Sequence, residues 1–479
     1  MERSTQWIAE AIGAAIHGSD VSVTGPVVTD SREVTPGALY VARRGESADG
    51  HSFLSAAYEA GARVAIVEEH HPEVPLTQLV VPESTEALGE LARAHLADLR
   101  RRANAEAPLL VIGLTGSAGK TTTKDLLRQV LSTVGPTVAP KLSFNNEVGL
   151  PLTVLKADET TRYLVLEMGA SGPGHIDYLT RIAPVDIAIE LMVGHAHMGG
   201  FGSIEGVAAA KAELLAGLVD GGIAILNRDD DLVAAMAQPL ANDGRGIEVH
   251  YFSPSGNTAA DLWADNAELD AIGRPSFTMV ADGGTRQAAV TSHLVGAHHV
   301  ANLLAAGAAA YAAGLSLDAV AQALSEARAE SPHRMDVRDI VLDSKRVTVI
   351  DDSYNANLDS MGAAFRALAD IAGDRPRVAV LGEMLELGES TESTHREVGQ
   401  MAAGAGVALM LTVGESDSLN HYRSGAGTLV RSVQAQGVEE AVECLRRDLP
   451  HEAVVLIKGS LGSGVHKVAD ALIEVGQPR

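Results

Sequence analysis

The chain has one cysteine, two tryptophans and six phenylalanines in 479 residues. With Cys444 alone, no intrachain disulfide can form, and cysteine usage gives no sign of an oxidising compartment. Aromatic residues make up 3% of the chain against 46% hydrophobic residues overall, so its cores must be built from Ala, Val, Leu and Ile. Those side chains suit helices packed over parallel strands. Cations are also scarce: 37 Lys and Arg stand against 62 Asp and Glu, a formal net charge of -25. Such a balance excludes a nucleic-acid partner, which needs a basic surface, and any anionic substrate must meet local cations or metal ions. No apolar run reaches the roughly 18 residues that span a bilayer. The opening MERSTQWIAEAIGAAIHGSD lacks the basic flank, unbroken apolar core and cleavage site of a signal peptide, and reads as a short amphipathic helix. The expectation is a cytoplasmic protein without membrane insertion.

The length exceeds what one hydrophobic core supports and implies about three domains. Residues 1–107 alternate short apolar runs with turn signals and end in a charged helix, LGELARAHLADLRRRANAEAP. Over 108–330 the pattern becomes strand, glycine turn, helix: LLVIGLTG, YLVLEMG, VDIAIELM and GGIAILN, closed by the Ala-rich helices HHVANLLAAGAAAYAAG and SLDAVAQALSEARAE. After SPHRM, a linker, residues 331–479 repeat the alternation with RVTVIDD, RVAVLGE, ALMLTVG and AVVLIKG. The expected class is α/β in three domains: a small α/β domain, a central domain with a mostly parallel sheet, and a C-terminal Rossmann-like domain without a GxGxxG fingerprint.

The stretch GLTGSAGKTTT, residues 113–123, follows an apolar strand and opens a helix. Its glycines let backbone N–H groups converge, and the helix N-terminus adds positive potential, so a triphosphate can sit there against Lys120. Thr121 or Thr122 would help hold Mg2+. The generic phosphate-loop spacing, however, wants a glycine where Leu114 sits. Glu167 ends the strand YLVLE, and an acid at the carboxyl end of a parallel strand faces the ligand crevice. Beside a phosphate loop it reads as an Mg2+ ligand. The run VGHAHMGGFGSIEGVAAAKAELL adds His195, His197 and Lys211. Taken singly, each of these is an ordinary solvated or packing residue; only their grouping points to chemistry.

Together these residues resemble the Mur ligases, the ATP-dependent amide ligases of peptidoglycan precursor synthesis, whose loop is GxTGxxGKTT with its first glycine one position early. Gly113 and Leu114 therefore match the family's own spacing. Within the family the resemblance is to the branch that adds D-alanyl-D-alanine to a UDP-N-acetylmuramoyl tripeptide, and it runs through nearly the whole chain. DSREVTPGALYVARRGESADGHSF resembles the UDP-sugar-binding domain; FNNEVGLPLTVL, LEMGASGPGHIDYLTRI, AHMGGFGSIEGVAAAKAE, LNRDD and GAHHVANLLAA the ATPase domain. HRMDV, DDSYNANLDSM, VLGEMLELGE and IKGS resemble the third domain, which closes over the site.

The resemblance implies an acyl phosphate made from ATP on the tripeptide's free carboxylate and attacked by the dipeptide's amine. It implies that Gly116, Ser117, Gly119, Lys120, Thr121 and Thr122 bind the nucleotide, with Asn302 on the adenine side and Arg334 and Asp352 reaching in from the third domain. Thr121, Glu167, His197 and Lys211 would hold Mg2+, Lys211 as a carbamate, with Asn146 a neighbour. Ser31, Arg32 and Gly45, near the loop Asp49 to His51, would bear on the uridine diphosphate. Tyr354, Asn355, Asn357 and Lys458 would serve the substrates, and the enzyme would act as a monomer. The chain departs from the family pattern at Met192 and His299 (usually Asn), Leu358 (Pro), Glu383 (Asp) and Leu461 (often Arg or Asn). Met192 and Leu461 lose polar capacity, which bears on the acceptor. Two other readings use the same residues: a paralogue forming a different amide by the same chemistry, and an ATP-hydrolysing binding module.

Overall fold

A computed structural model describes residues 1–45, 48–104, 108–194 and 201–478. Among these residues the strands form three main sheets, each drawn from one stretch of chain. The first has five strands in the order Ala15–His17, Thr77–Val80, Val64–Val67, Leu39–Val41 and Val27–Val28, parallel except for the antiparallel Ala15–His17 edge. The opening amphipathic helix covers only Thr5–Ile12, because Gly13 ends it in the left-handed conformation (φ +65°).

The charged helix spans Ser84–Arg102; it starts before LGELARAH because the Glu83 side chain accepts from the Thr85 and Glu86 N–H groups. Rather than closing off a first core, it joins two. Leu88, Leu91, Leu96 and Leu99 belong to one apolar cluster that holds Val64, Ile66 and Leu79 of the first sheet and Val111, Leu164 and Leu179 of the central unit. Polar contacts follow the same seam. Arg3 pairs with Asp98 at 2.6 Å, His95 Nε2 donates to Ala157 O at 2.9 Å, and Arg100 donates to Asp186 Oδ2 at 2.8 Å.

The central sheet has nine strands, in the order Thr137–Val138, Tyr163–Glu167, Leu110–Thr115, Val185–Glu190, Leu218–Asn227, Glu248–Ser253, Leu262–Leu269, Pro275–Ala281 and Arg286–Thr291. The first seven are parallel and the last two antiparallel. Alternate residues of Leu110–Thr115 enter opposite cores, Val111 one and Ile112 and Leu114 the other, so the strand is apolar on both faces. Its parallel partners on the two sides come later in the chain, which makes its carboxyl end the switch point of the sheet, where ligands bind. The antiparallel ribbon from Leu262 to Thr291 was not legible in the alternation of strands and helices, because much of its length is exposed and mixed in polarity.

The third sheet has seven strands: Arg431–Ala435, Val407–Val413, Arg377–Leu381, Ala453–Lys458 and Lys345–Asp352 in parallel, then Asp336–Leu342 and Gln477–Pro478 antiparallel at one edge. All three units thus have the expected α/β character with mainly parallel sheets. No helix among the described residues is long and apolar enough to cross a membrane.

Leu91→Ala should cost about 2–5 kcal/mol, the range for a buried leucine. Because Leu91 sits in the shared cluster, calorimetry should show the first two units losing stability in one transition. Two separated transitions with only the first displaced would mean that the shared core does not couple them.

Candidate active site

The helix after the phosphate loop runs Lys120–Ser132, and Gly119 precedes it with φ +85°. A Cβ on Gly119 would collide with Asn302 Oδ1, so this turn needs glycine for both its conformation and its neighbour. The first N–H groups of the helix have no intrahelical partner and face the strand ends. Lys120, partly buried, bends back to donate to Gly116 O at 2.7 Å. Removal from water holds its ammonium below the usual lysine range, with Arg334 adding to the shift and Glu167 opposing it. Ser117 Oγ accepts from Gly194 N (2.8 Å) and donates to Gly194 O (3.1 Å), which ties the loop to the segment after Val185–Glu190.

Glu167 is fully buried at the end of its strand. Thr121 Oγ1 donates to its Oε2 at 2.9 Å; Ser143 Oγ and Asn145 Nδ2 donate to its Oε1 at 2.6 and 2.8 Å. Asn145, and not Asn146, is therefore the FNNEVG residue at this carboxylate. The Asn146 side-chain oxygen Oδ1 accepts from Val148 N and Gly149 N at 3.3 and 2.9 Å, in the turn that leads into the helix Gly149–Val154. A second acid, Glu190, ends the neighbouring strand, fully buried, with neither carboxylate oxygen hydrogen-bonded among the described residues. The rule that singles out Glu167 in the sequence applies equally to Glu190. Burial pushes the Glu190 carboxyl well above its ordinary range, and Lys211 pulls against that shift. Burial lowers the Lys211 ammonium in turn, with Lys120 adding to the effect and Glu190 resisting it. His195 and His197 lie outside the described residues. Among the described residues no group of three or more His, Cys, Asp or Glu side chains is arranged to hold a metal.

A cavity of about 740 Å³ opens over the loop, between the central and third units. Its lining includes Ser117, Gly119, Lys120, Thr121, Thr122, Glu167 and Asn302 from the centre, and Arg334, Asp352, Tyr354, Asn355, Asn357 and Lys458 from the third unit. Arg334 sits between His333 (φ +59°) and Met335 (φ +53°), both left-handed, which is uncommon for side-chain-bearing residues. His333 Nδ1 bonds Asp351 Oδ2 at 2.7 Å, and the Arg334 guanidinium lies 4.1 Å from the Tyr354 ring centroid. Its Nε is buried without a hydrogen-bond partner among the described residues. Lys458, 1% exposed, donates to Asp352 Oδ2 (2.5 Å) and Asn355 O (2.9 Å), so it braces the DDSYNAN loop. Asn357 forms a capping box with Ser360 at the start of the helix Leu358–Ala372.

Gly116, Lys211 and Asn146 do not line the cavity, and neither do Ser31, Arg32 and Gly45. Arg32, in the turn Ser31–Glu33, is exposed and grips Asp30, which its hydrogen bond holds at about 2. Gly45 N donates to Ala48 O at 2.9 Å, beside Asp49, which accepts from His51 N at 3.0 Å and Nδ1 at 2.6 Å. Of the departures, Met192 and Leu358 face the cavity, as does His299, whose ring burial keeps neutral and whose Nδ1 accepts from Asn302 Nδ2 at 3.1 Å. Glu383 accepts from Ser416 and Ser418 Oγ at 2.9 and 2.5 Å, and Leu461 is exposed.

Asn145→Ala should slow turnover about tenfold or more, the range for removing a partner of a ligating group. Asn146→Ala should leave turnover nearly intact and cost about 1 kcal/mol through the hydrogen bonds it loses in that turn. Steady-state rates and thermal melts separate the two; a turnover defect confined to Asn146→Ala would reverse the assignment.

Three family models match the chain in order: the Mur ligase family catalytic domain over residues 26–96, the Mur ligase middle domain over 114–310, and the Mur ligase glutamate ligase domain over 333–461. A UDP-N-acetylmuramoyl-tripeptide--D-alanyl-D-alanine ligase of Mycobacterium tuberculosis is 39% identical, with 99% of this chain and 98% of that one covered. Among solved structures, MurF from Acinetobacter baumannii superposes with a TM-score of 0.85 at 29% identity over 99% of each chain. The MurF ligase of Thermotoga maritima in complex with ADP superposes at 0.78 and 26% identity, covering 95% of this chain and 98% of that one. With its phosphate loop, buried acids and three sheets in the same order along its whole length, the chain belongs to the Mur ligase family.

Proposed function

We propose that this chain is the ATP-dependent ligase that joins D-alanyl-D-alanine to a UDP-N-acetylmuramoyl tripeptide, forming the pentapeptide precursor with ADP and phosphate. The observation that carries this reading is the cavity in which Lys120 and Thr121 of the loop face Arg334, Asp352 and Tyr354 of the third unit. It stands in a chain matched end to end by relatives named for that activity. In this reading residues 1–107 bind the UDP-sugar, 108–330 bind ATP and 331–479 close over ATP and acceptor, in a monomeric cytoplasmic enzyme.

The chemistry follows from the charges. The terminal phosphoryl group of ATP passes to the tripeptide carboxylate: the bond to ADP breaks, a carboxyl oxygen to phosphorus bond forms, and an acyl phosphate results. The dipeptide amine then attacks the acyl carbon, phosphate leaves with the bonding pair, and the nitrogen loses a proton as the amide forms. Lys120 and the helix N–H groups hold negative charge on one side of the transferring group, and Arg334, with its unpartnered buried Nε, meets it from the other. The Tyr354 ring holds the guanidinium by a cation–π contact, and Asp352, braced by Lys458, is available to accept from a nucleotide hydroxyl.

The oxygen donors Thr121 and Glu167 fit Mg2+, which takes a few carboxylates or hydroxyls together with substrate phosphates. Thr121, Glu167 and His197 would hold one Mg2+, and a carbamate on Lys211 would hold a second; bound, the ions would supply charge neutralisation for the transferring phosphoryl group. The carbamate would form when the Lys211 Nζ lone pair adds to CO2 and a proton is released. Burial of Lys211, which disfavours its ammonium, supports that modification.

Two outcomes test the proposal. Given ATP and a pool of amines, mass spectrometry should find D-alanyl-D-alanine as the dominant addition to the UDP-linked tripeptide, ahead of single amino acids and the L,L dipeptide, because a site with polar groups paired to the dipeptide rejects partners that leave them unpaired. A different dominant amine would make this chain a paralogue. Enzyme held free of CO2 should lose activity and regain it with bicarbonate, and Lys211→Ala should be nearly inactive with partial recovery in acetate. Wild-type rates in Lys211→Ala without additive would reduce Lys211 to a packing residue.

A further inference from the structure

The phosphate-loop helix carries another buried cation, one turn beyond Thr121. Lys124 is 1% exposed. Its Nζ donates to Pro140 O at 2.9 Å and Leu142 O at 3.0 Å, and pairs with Asp125 Oδ1 at 2.6 Å. These partners use all the donors an ammonium has. Both carbonyls belong to the segment that leads into FNNEVG. Leu142 is left-handed (φ +53°) and its side chain is exposed, so packing does little to hold the turn there. The next residue, Ser143, donates to Glu167 Oε1, and Asn145 Nδ2 donates both to Ser143 Oγ at 3.0 Å and to the same Glu167 oxygen. Asn145 O in turn accepts from Gly169 N at 2.8 Å, just past the strand that Glu167 ends.

We infer that Lys124 is a positioning residue for Glu167: it pins the carbonyls of Pro140 and Leu142 so that Ser143 and Asn145 meet the buried carboxylate. The same helix then governs both oxygens of Glu167, one directly through Thr121 and the other through Lys124 and the pinned segment. A buried ammonium needs a partner for its charge and for each of its three donors; Asp125 meets the charge, and the carbonyls of this turn take the remaining donors, which ties the turn to the helix. The role of Glu167 as a metal ligand rests on the function proposed above; the pinning of the segment does not.

The test uses the full chain carrying Lys124→Met together with Asp125→Asn, so that no buried charge is left without its partner. Hydrogen exchange is followed over residues 141–146, and Mn2+ binding is read by electron paramagnetic resonance with a non-hydrolysable ATP analogue. Exchange over 141–146 should rise, and Mn2+ affinity should fall about tenfold or more, as for other residues that orient a ligating group. Adding Ser143→Ala and Asn145→Ala to this variant should produce little further loss, since all act through one path. Unchanged exchange over 141–146 would overturn the inference, as would losses that multiply independently. Glu167→Gln serves as the control. If it leaves Mn2+ affinity unaltered, the metal assignment falls, and segment exchange alone decides the role of Lys124.

Discussion

Glu167 is a carboxylate with no access to water at the end of a central strand, and the geometry of the site depends on keeping it there. Burying such a charge costs several kcal/mol unless donors are aimed at it. Thr121, Ser143 and Asn145 provide them, each bond to a charged group contributing about 1.5–3 kcal/mol. These donors come from a helix and a loop that meet only if the phosphate loop, the segment after Val138 and the strand Tyr163–Glu167 are in register. The helix that opens at Lys120 and the acid that faces it are therefore joined by a direct hydrogen bond.

Glu190 and Lys211 are both buried, and burial disfavours the ionised form of each while each favours that of the other. Such perturbed groups cluster where chemistry is done. The third unit is tied into the same centre from its linker. Asp125, Arg128 and Gln129 of the phosphate-loop helix hold Ser331, Glu330 and Arg328, with Asp125 Oδ2 accepting from Ser331 Oγ at 2.6 Å. Arg334 follows within a few residues, so the helix that would carry the phosphates also anchors the chain that delivers the opposing cation.

Much of this was legible beforehand. Apolar strands bounded by glycine located most of the parallel strands, since a strand buried on both faces leaves an unbroken apolar run. The phosphate loop and Glu167 were legible because their chemistry depends on local spacing. Glu190 was passed over although VDIAIE ends as YLVLE does. Asn145 and Asn146 could not be told apart, because which of two adjacent amides turns inward depends on the loop's path over Glu167. Asn357 and Lys458 line the cavity, but the first spends its side chain on a helix cap and the second on the loop beside it.

The sequence by itself determined what depends on neighbours along the chain: the three α/β units, the glycine turn before Lys120, the acid at the end of a strand, the charged helix after the first sheet. Only the tertiary structure decided what depends on residues far apart. It fused the first two cores across Ser84–Arg102, gave Glu167 its donors, buried Glu190 and Lys211, and brought Arg334 over the loop from the next unit. The physical reason is that hydrogen bonds and charges act through a few ångströms of space, and a sequence records distance along the chain but not through it.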